Sequence, residues 1–170
     1  MGSKVAIGMG ANLGDRLEAL RRAAMELRPA LAGMRVSPVY ETAPQIVVDQ
    51  PPFLNAVMVG ECELGPFALL DALKAIERRL GRRPRERYGP REIDLDLLAY
   101  GRLALTSERL EVPHPAIPHR LFVLAPWADL TPDWLLPVRG RLETVADLLA
   151  RTTDPPMGVH RLEASPATSL

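Results

Sequence analysis

Hydrophobic and polar residues alternate in three early stretches and recur at helical spacing between them. Residues 4–10 read as a first strand. Leu17, Leu20, Ala24, Leu27 and Leu31 then recur every three to four residues, as on one face of a helix. Asp15 and Glu18 form a capping-box pattern at its start, and Pro29 ends or kinks it. Residues 36–40 read as a second strand that Pro38 marks as an edge or a bulge. Residues 41–52 are a proline-bearing loop. Residues 53–64 are a third strand, with Leu54, Ala56, Met58, Cys62 and Leu64 on one face and Phe53, Asn55, Val57, Val59 and Glu61 on the other. Gly65-Pro66 opens a second helix whose buried stripe is Leu69, Leu70, Leu73, Ile76 and Leu80, with Gly81 as its C-terminal cap. A fourth strand reaches about residue 100.

The order strand, helix, strand, strand, helix, strand predicts an α+β fold with a ferredoxin-like βαββαβ core: an antiparallel sheet with two helices on one face. The other face is left to hold a ligand or to be covered by later elements. Residues 120–130 look helical, with Leu121, Phe122, Leu124 and Ala128 apolar and Pro126 as a kink. A last helix is expected over 144–151, and residues 152–170 read as a loosely ordered tail. A chain of 170 residues without repeats or linkers is expected to be a single domain, 1–170.

Composition narrows the class. Lys+Arg and Asp+Glu are 21 each, so there is no basic surplus for bulk nucleic-acid binding. Positive charge is nearly all arginine, since Lys4 and Lys74 are the only lysines. A single cysteine, Cys62, allows neither an internal disulfide nor a cysteine zinc site. No apolar run has the length of a membrane span and no signal peptide is read, so a cytoplasmic protein is expected. Gly8, Gly10 and Gly14 miss the dinucleotide spacing because Leu13 stands where a glycine is needed, and no P-loop motif occurs. These glycines are expected to shape a strand-to-helix turn.

The chemistry concentrates at 78–98. Asp94 and Asp96 share one face of the fourth strand, about 6.5 Å apart along it, where two carboxylates can converge on a hard cation such as magnesium. Just upstream lie Arg78, Arg79, Arg82, Arg83, Arg85, Arg87 and Arg91, in a segment that Gly81, Pro84, Gly89 and Pro90 keep from helix. Guanidinium groups clamp phosphate oxygens in planar pairs. A cationic loop feeding an anionic strand suits magnesium and a polyphosphate. Phe53 and Asn55 could read a planar ring or simply end a strand. His114, held between Pro113 and Pro115, is open to a structural or a catalytic role.

The combination resembles the hydroxymethyl-dihydropterin pyrophosphokinase family of folate biosynthesis. The resemblance rests on residues 6–14, 40–44, 50–57, 76–77, 80–82, 89–96, 112–115 and 120–122, in order over about residues 5 to 130. It implies transfer of the β,γ-pyrophosphoryl group of ATP to the pterin hydroxymethyl oxygen, releasing AMP. It also implies two Mg2+ ions on Asp94 and Asp96, with ATP as co-substrate. Phe53 and Phe122 would sandwich the pterin, Asn55 would read its edge, and Thr42 and Pro44 would lie beside it. Ile76, Glu77, Arg82, Arg91, His114 and Arg120 would meet ATP, with Arg82 and Arg91 also catalytic. The implied fold is the ferredoxin-like core enlarged to a three-layer αβα sandwich, in a protein expected to be monomeric and to bind neither nucleic acid nor membrane. The sequence departs from the family pattern at Phe53, Lys74 and Tyr88, and in an arginine loop one residue short.

Two other readings predict different behaviour. A nucleotidyl enzyme built on a similar carboxylate-bearing sheet would bind nucleic acid in a steeply salt-dependent way. A noncatalytic module of the same fold would tolerate loss of Asp94 and Asp96.

Overall fold

The computed structural model describes residues 1–43, 49–85, 87, 89–152 and 158–162. Its central sheet is antiparallel. β1 (Ser3–Ala11) lies between β4 (Phe53–Cys62) and β5 (Asp94–Tyr100). β4 also pairs with β2 (Ala32–Val36) and β3 (Tyr40–Thr42), and β10 (Val159–Arg161) pairs with β3 at the sheet's edge. Four helices occur among the described residues: α1 (Arg16–Leu27), α2 (Pro66–Arg79), α3 (Leu121–Ala128) and α4 (Val145–Arg151). Two short hairpins complete the fold, β6 (Leu105–Thr106) with β7 (Glu111–Val112) and β8 (Leu135–Val138) with β9 (Arg141–Thr144).

Strand alternation divides the apolar residues between two cores. Val5, Ile7, Met9 and Ala11 of β1 and Leu54, Ala56, Met58 and Cys62 of β4 point to one face, where Leu20 and Leu27 of α1 and Leu69 and Leu73 of α2 cover them. Ala6, Val57 and Val59 point to the opposite face, beneath Val123, Leu124 and Trp127 of α3 and Val145 and Leu148 of α4. Burial on this scale stabilises by about 25 cal/mol for each Å2 of apolar surface removed from water. Trp127 meets Trp134 edge-on at 5.5 Å, a favoured aromatic geometry.

Local signals explain the element ends. Asp15 caps α1 by accepting from the Glu18 backbone N–H at 3.1 Å. Pro66 fills the first turn of α2, where its missing N–H costs nothing. Gly81, at φ +92, turns the chain out of α2. Thr144 caps α4.

The expected second strand, 36–40, is in fact broken. β2 ends at Val36 and β3 begins at Tyr40, because Pro38 has no N–H and Ser37 takes over the pairing with β4. Ser37 donates its backbone N–H to the Val57 carbonyl and accepts the Val57 N–H on Oγ, both at 2.9 Å. Within 152–170, which the sequence reads as loosely held, Val159–Arg161 form a strand in register with Tyr40–Thr42.

Candidate functional site

The site lies on the α3 side of the sheet, toward the C-terminal end of β1. The β1–β5 register sets Gly8 opposite Asp96 and Gly10 opposite Asp94, so each carboxylate has a glycine as its neighbour. A Cβ on Gly10 would stand 3.0 Å from the Asn55 side-chain oxygen, and one on Gly8 would press on Leu98 at 3.4 Å. These two glycines therefore keep a cavity open instead of shaping the turn, which is left to Gly14 at φ +64.

The cavity, about 160 Å3, is of the size that admits a single aromatic ring. Phe53 from the start of β4 and Phe122 from the first turn of α3 supply two rings to its wall. Asn55 donates its side-chain amide to Thr42 Oγ1 at 2.8 Å, which fixes the amide's orientation, and both residues are buried. Arg120 stacks its guanidinium 5.5 Å from the Phe122 ring centroid. Asp94, Asp96 and Arg91 complete the wall.

The two carboxylates stand in unlike surroundings. Burial alone would raise the Asp94 carboxyl, but Arg91, then Arg82 and Lys74, hold it below its ordinary value. Arg82 and Arg91 donate to its two oxygens at 2.8 and 2.7 Å. Asp96 has no hydrogen bond or ion pair among the described residues. Burial, then the charge of Asp94, pushes it up to about 6, against the opposing pull of Lys74, Arg120 and Arg91. A part-buried carboxylate without an ion-pair partner, beside a second carboxylate, fits a cation. No group of three or more His, Cys, Asp or Glu able to hold a metal occurs among the described residues. A magnesium ion suits such a two-carboxylate site because it keeps waters and completes its shell with substrate phosphates.

A second cleft, about 600 Å3, opens on the far side of Arg91, which lines both spaces. Lys74, Arg78, Arg82, Arg83, Arg85 and Arg87 give it a cationic wall. Glu77, buried on α2, anchors Lys74 at 2.9 Å and also pairs with Arg82. Arg85 is held by Glu92 at 2.6 Å.

Of the residues singled out in the sequence, Thr42, Phe53, Asn55, Arg91, Asp94, Asp96, Arg120 and Phe122 line the cavity, and Glu77 and Arg82 line the cleft. Ile76 lines neither. It is packed in the core with Leu69 and Leu73, because it belongs to the same apolar stripe of α2. His114 lies close enough to Arg120 and Asp94 to feel both charges. Burial, then Arg120, lowers it to about 4 while Asp94 opposes. Its backbone N–H donates to the Leu98 carbonyl at 2.8 Å, and its Nδ1 accepts from Ala116 N–H at 3.2 Å. Pro44 and Tyr88 lie outside the described residues.

Asn12 went unassigned in the sequence. Buried at the end of β1, it donates to Gln50 Oε1 and the Pro51 carbonyl and accepts the Arg91 backbone N–H at 2.7 Å. It thus ties the loop before β4 to the arginine segment. An asparagine after a glycine-rich strand end is a turn signal, and only the fold reveals what it joins.

Rings, an amide and two carboxylates in one compartment, cations in the next and Arg91 in the wall of both suit phosphate transfer to a small planar acceptor. Comparison with known proteins agrees. Residues 6–132 match the family described as 7,8-dihydro-6-hydroxymethylpterin-pyrophosphokinase. The 2-amino-4-hydroxy-6-hydroxymethyldihydropteridine pyrophosphokinase of Methylorubrum extorquens is 41% identical over 160 residues, 92% of this chain and 97% of that protein. The mitochondrial folate synthesis bifunctional protein of Arabidopsis thaliana is 47% identical over 128 residues, 75% of this chain. This chain spans about a quarter of the length of that plant protein and its Pisum sativum counterpart, 23% and 25%. The wild-type HPPK-DHPS of Plasmodium falciparum has the same fold over 89% of this chain and 43% of its own, with TM-score 0.67 at 15% identity. The chain belongs to the 7,8-dihydro-6-hydroxymethylpterin-pyrophosphokinase family, enzymes of folate synthesis.

Proposed function

We propose that this chain performs the family's reaction, moving the β,γ-pyrophosphoryl group of ATP onto the hydroxymethyl oxygen of 6-hydroxymethyl-7,8-dihydropterin. The products are AMP and the pterin diphosphate. The observation that carries the reading is the shared wall: Arg91 lines both the ring-sized cavity, where the carboxylate pair stands, and the cationic cleft, and it donates to Asp94.

The pterin stacks between Phe53 and Phe122 and presents its polar edge to Asn55, whose amide Thr42 already orients. ATP lies along the cleft with its phosphates reaching past Arg82 and Arg91 toward the cavity, where Arg120 lines the wall and His114 feels the Arg120 charge. A bond forms between the hydroxymethyl oxygen and the β-phosphorus, and the bond from that phosphorus to the α-phosphate oxygen breaks. The electron pair leaves with AMP, and the hydroxyl proton passes to solvent water. Such a transfer needs alignment and neutralised charge, with no covalent enzyme intermediate. Bound magnesium would supply charge neutralisation and a lower pKa for the attacking hydroxyl. Asp94 and Asp96 would hold it.

Asp94 now occupies both Arg82 and Arg91. Arg82 and Arg91 would turn to the incoming phosphates and Asp94 would be freed to hold the cation, so that no charge would be left unpaired.

The topology supports the finer fold assignment. The order β5-β1-β4-β2 with α1 and α2 on one face supports a ferredoxin-like βαββαβ core, and α3 and α4 opposite support its enlargement to a three-layer αβα sandwich.

The test is a product assay with ATP, magnesium and the hydroxymethyl-dihydropterin. AMP is expected in step with pterin diphosphate. ADP in its place would mean single-phosphoryl transfer and overturn the assignment.

A further inference from the structure

We infer that the C-terminal strand β10, through Gly158 at its start, is a positioning element for the pterin compartment; this rests on the pterin reading above. β10 lies beyond residues 6–132, the part that matches the family.

The argument begins with β3, only three residues long and paired to β4 on one side. So short a strand has little hold of its own, and its outer edge would present unpaired N–H and C=O groups. β10 covers that edge in antiparallel register, Val159 opposite Thr42, His160 opposite Glu41 and Arg161 opposite Tyr40. Backbone bonds close both ends of the pairing. Ala43 N–H donates to the Gly158 carbonyl and Leu162 N–H to the Val39 carbonyl, each at 2.8 Å.

The residues so held form one wall of the site. Thr42 and Ala43 both line the cavity, and Thr42 Oγ1 is the acceptor that orients the Asn55 amide. Gly158 approaches Ala43 so closely that a Cβ would stand 2.9 Å from the Ala43 Cβ. Its φ of +87 also belongs to the left-handed region that favours glycine. Sterics and backbone conformation therefore both require glycine here. Any side chain pushes Ala43, and Thr42 with it, away from the position that serves Asn55. The cleft lined by Lys74, Glu77 and Arg82 is built from other elements and does not include this contact.

The test compares the wild-type chain with Gly158→Ala and Gly158→Val in steady-state assays that vary pterin and ATP separately. The expected result is a pterin KM raised about tenfold in Gly158→Val, less in Gly158→Ala, with the ATP KM unchanged within about twofold. A merely structural role would lower the folded fraction and leave both KM values alone. An unchanged pterin KM, or equal rises in both KM values, overturns the inference. Should circular dichroism show the valine variant unfolded, the KM ratio of the alanine variant decides by the same criterion. Failure of the reaction reading itself looks different, since the wild-type chain would then show no pterin turnover.

Discussion

Asp94 and Asp96 are neighbours on one strand face, yet their environments give opposite expectations for the same substitution. In metal-free protein Asp96→Asn removes a part-buried charge that lacks an ion-pair partner, and stability at pH 7 should rise by an amount of order 1 kcal/mol. Asp94→Asn leaves Arg82 and Arg91 facing a neutral amide and should destabilise. Turnover should fall at least about a hundredfold in both if the proposed cation site is right, because each variant would then lack one of its ligands. Denaturant titrations in a chelator and initial rates with magnesium check the two halves; near-normal rates in both variants would remove the metal assignment. Asn55→Ala should raise the pterin KM by roughly ten- to a hundredfold, the worth of one buried hydrogen-bond reader, and spare the ATP KM. Strand period was enough to put Asp94 and Asp96 on one face. Which of them is paired was not legible, because the partners reach Asp94 through a loop whose path no periodicity describes. Ile76 shows the converse: its place in an apolar helical stripe predicts the core, and there the structure puts it.

At the scale of elements, long periodic segments were legible and short ones were not. The first helix, its Asp15 cap and the two-faced β4 follow from spacing alone. The split between β2 and β3 needed the knowledge that Ser37 could replace a strand residue in bonding Val57. That substitution can be measured. Ser37→Ala leaves the Val57 N–H without its side-chain acceptor in a buried setting, and should cost about 1–3 kcal/mol in denaturant unfolding. A cost below about 0.5 kcal/mol would mean that the neighbouring backbone takes up the bond. The β8–β9 hairpin carries no turn signature in its sequence for a specific reason. Its two turn residues, Arg139 and Gly140, both have positive φ, at 49 and 76. The first position of such a turn normally advertises itself as Asn, Asp or Gly. β10 escaped because three residues carry too little pattern to separate a strand from a tail.

Two cores on either side of one sheet give the whole molecule its site, since the cavity lies where the α3 layer meets the glycine end of β1. The same layering sets the pH dependence of folding through His114. The groups acting on it are Arg120, which disfavours its charge, and Asp94, which favours it, and burial outweighs both. Its folded pKa of about 4 lies below the ordinary 6.5, so the unfolded chain binds this proton first as pH falls. Stability from the neutral imidazole is therefore complete above about pH 6.5 and drains away down to about pH 4. The full loss is about 2–3 kcal/mol once partial exposure is allowed for. Asp96 acts with the opposite sign. Its carboxyl, raised to about 6, favours the folded chain as it protonates, so the wild-type curve between pH 6 and 4 should be flatter than His114 alone would make it. His114→Asn keeps a side-chain acceptor for the Ala116 N–H and removes the titration. The difference in unfolding free energy between this variant and wild type should shift by about 2–3 kcal/mol in the variant's favour from pH 7 to pH 4. A pH-independent difference would mean that His114 titrates normally in the folded protein and that its surroundings are wetter than the packing around Ile117 and Leu98 implies.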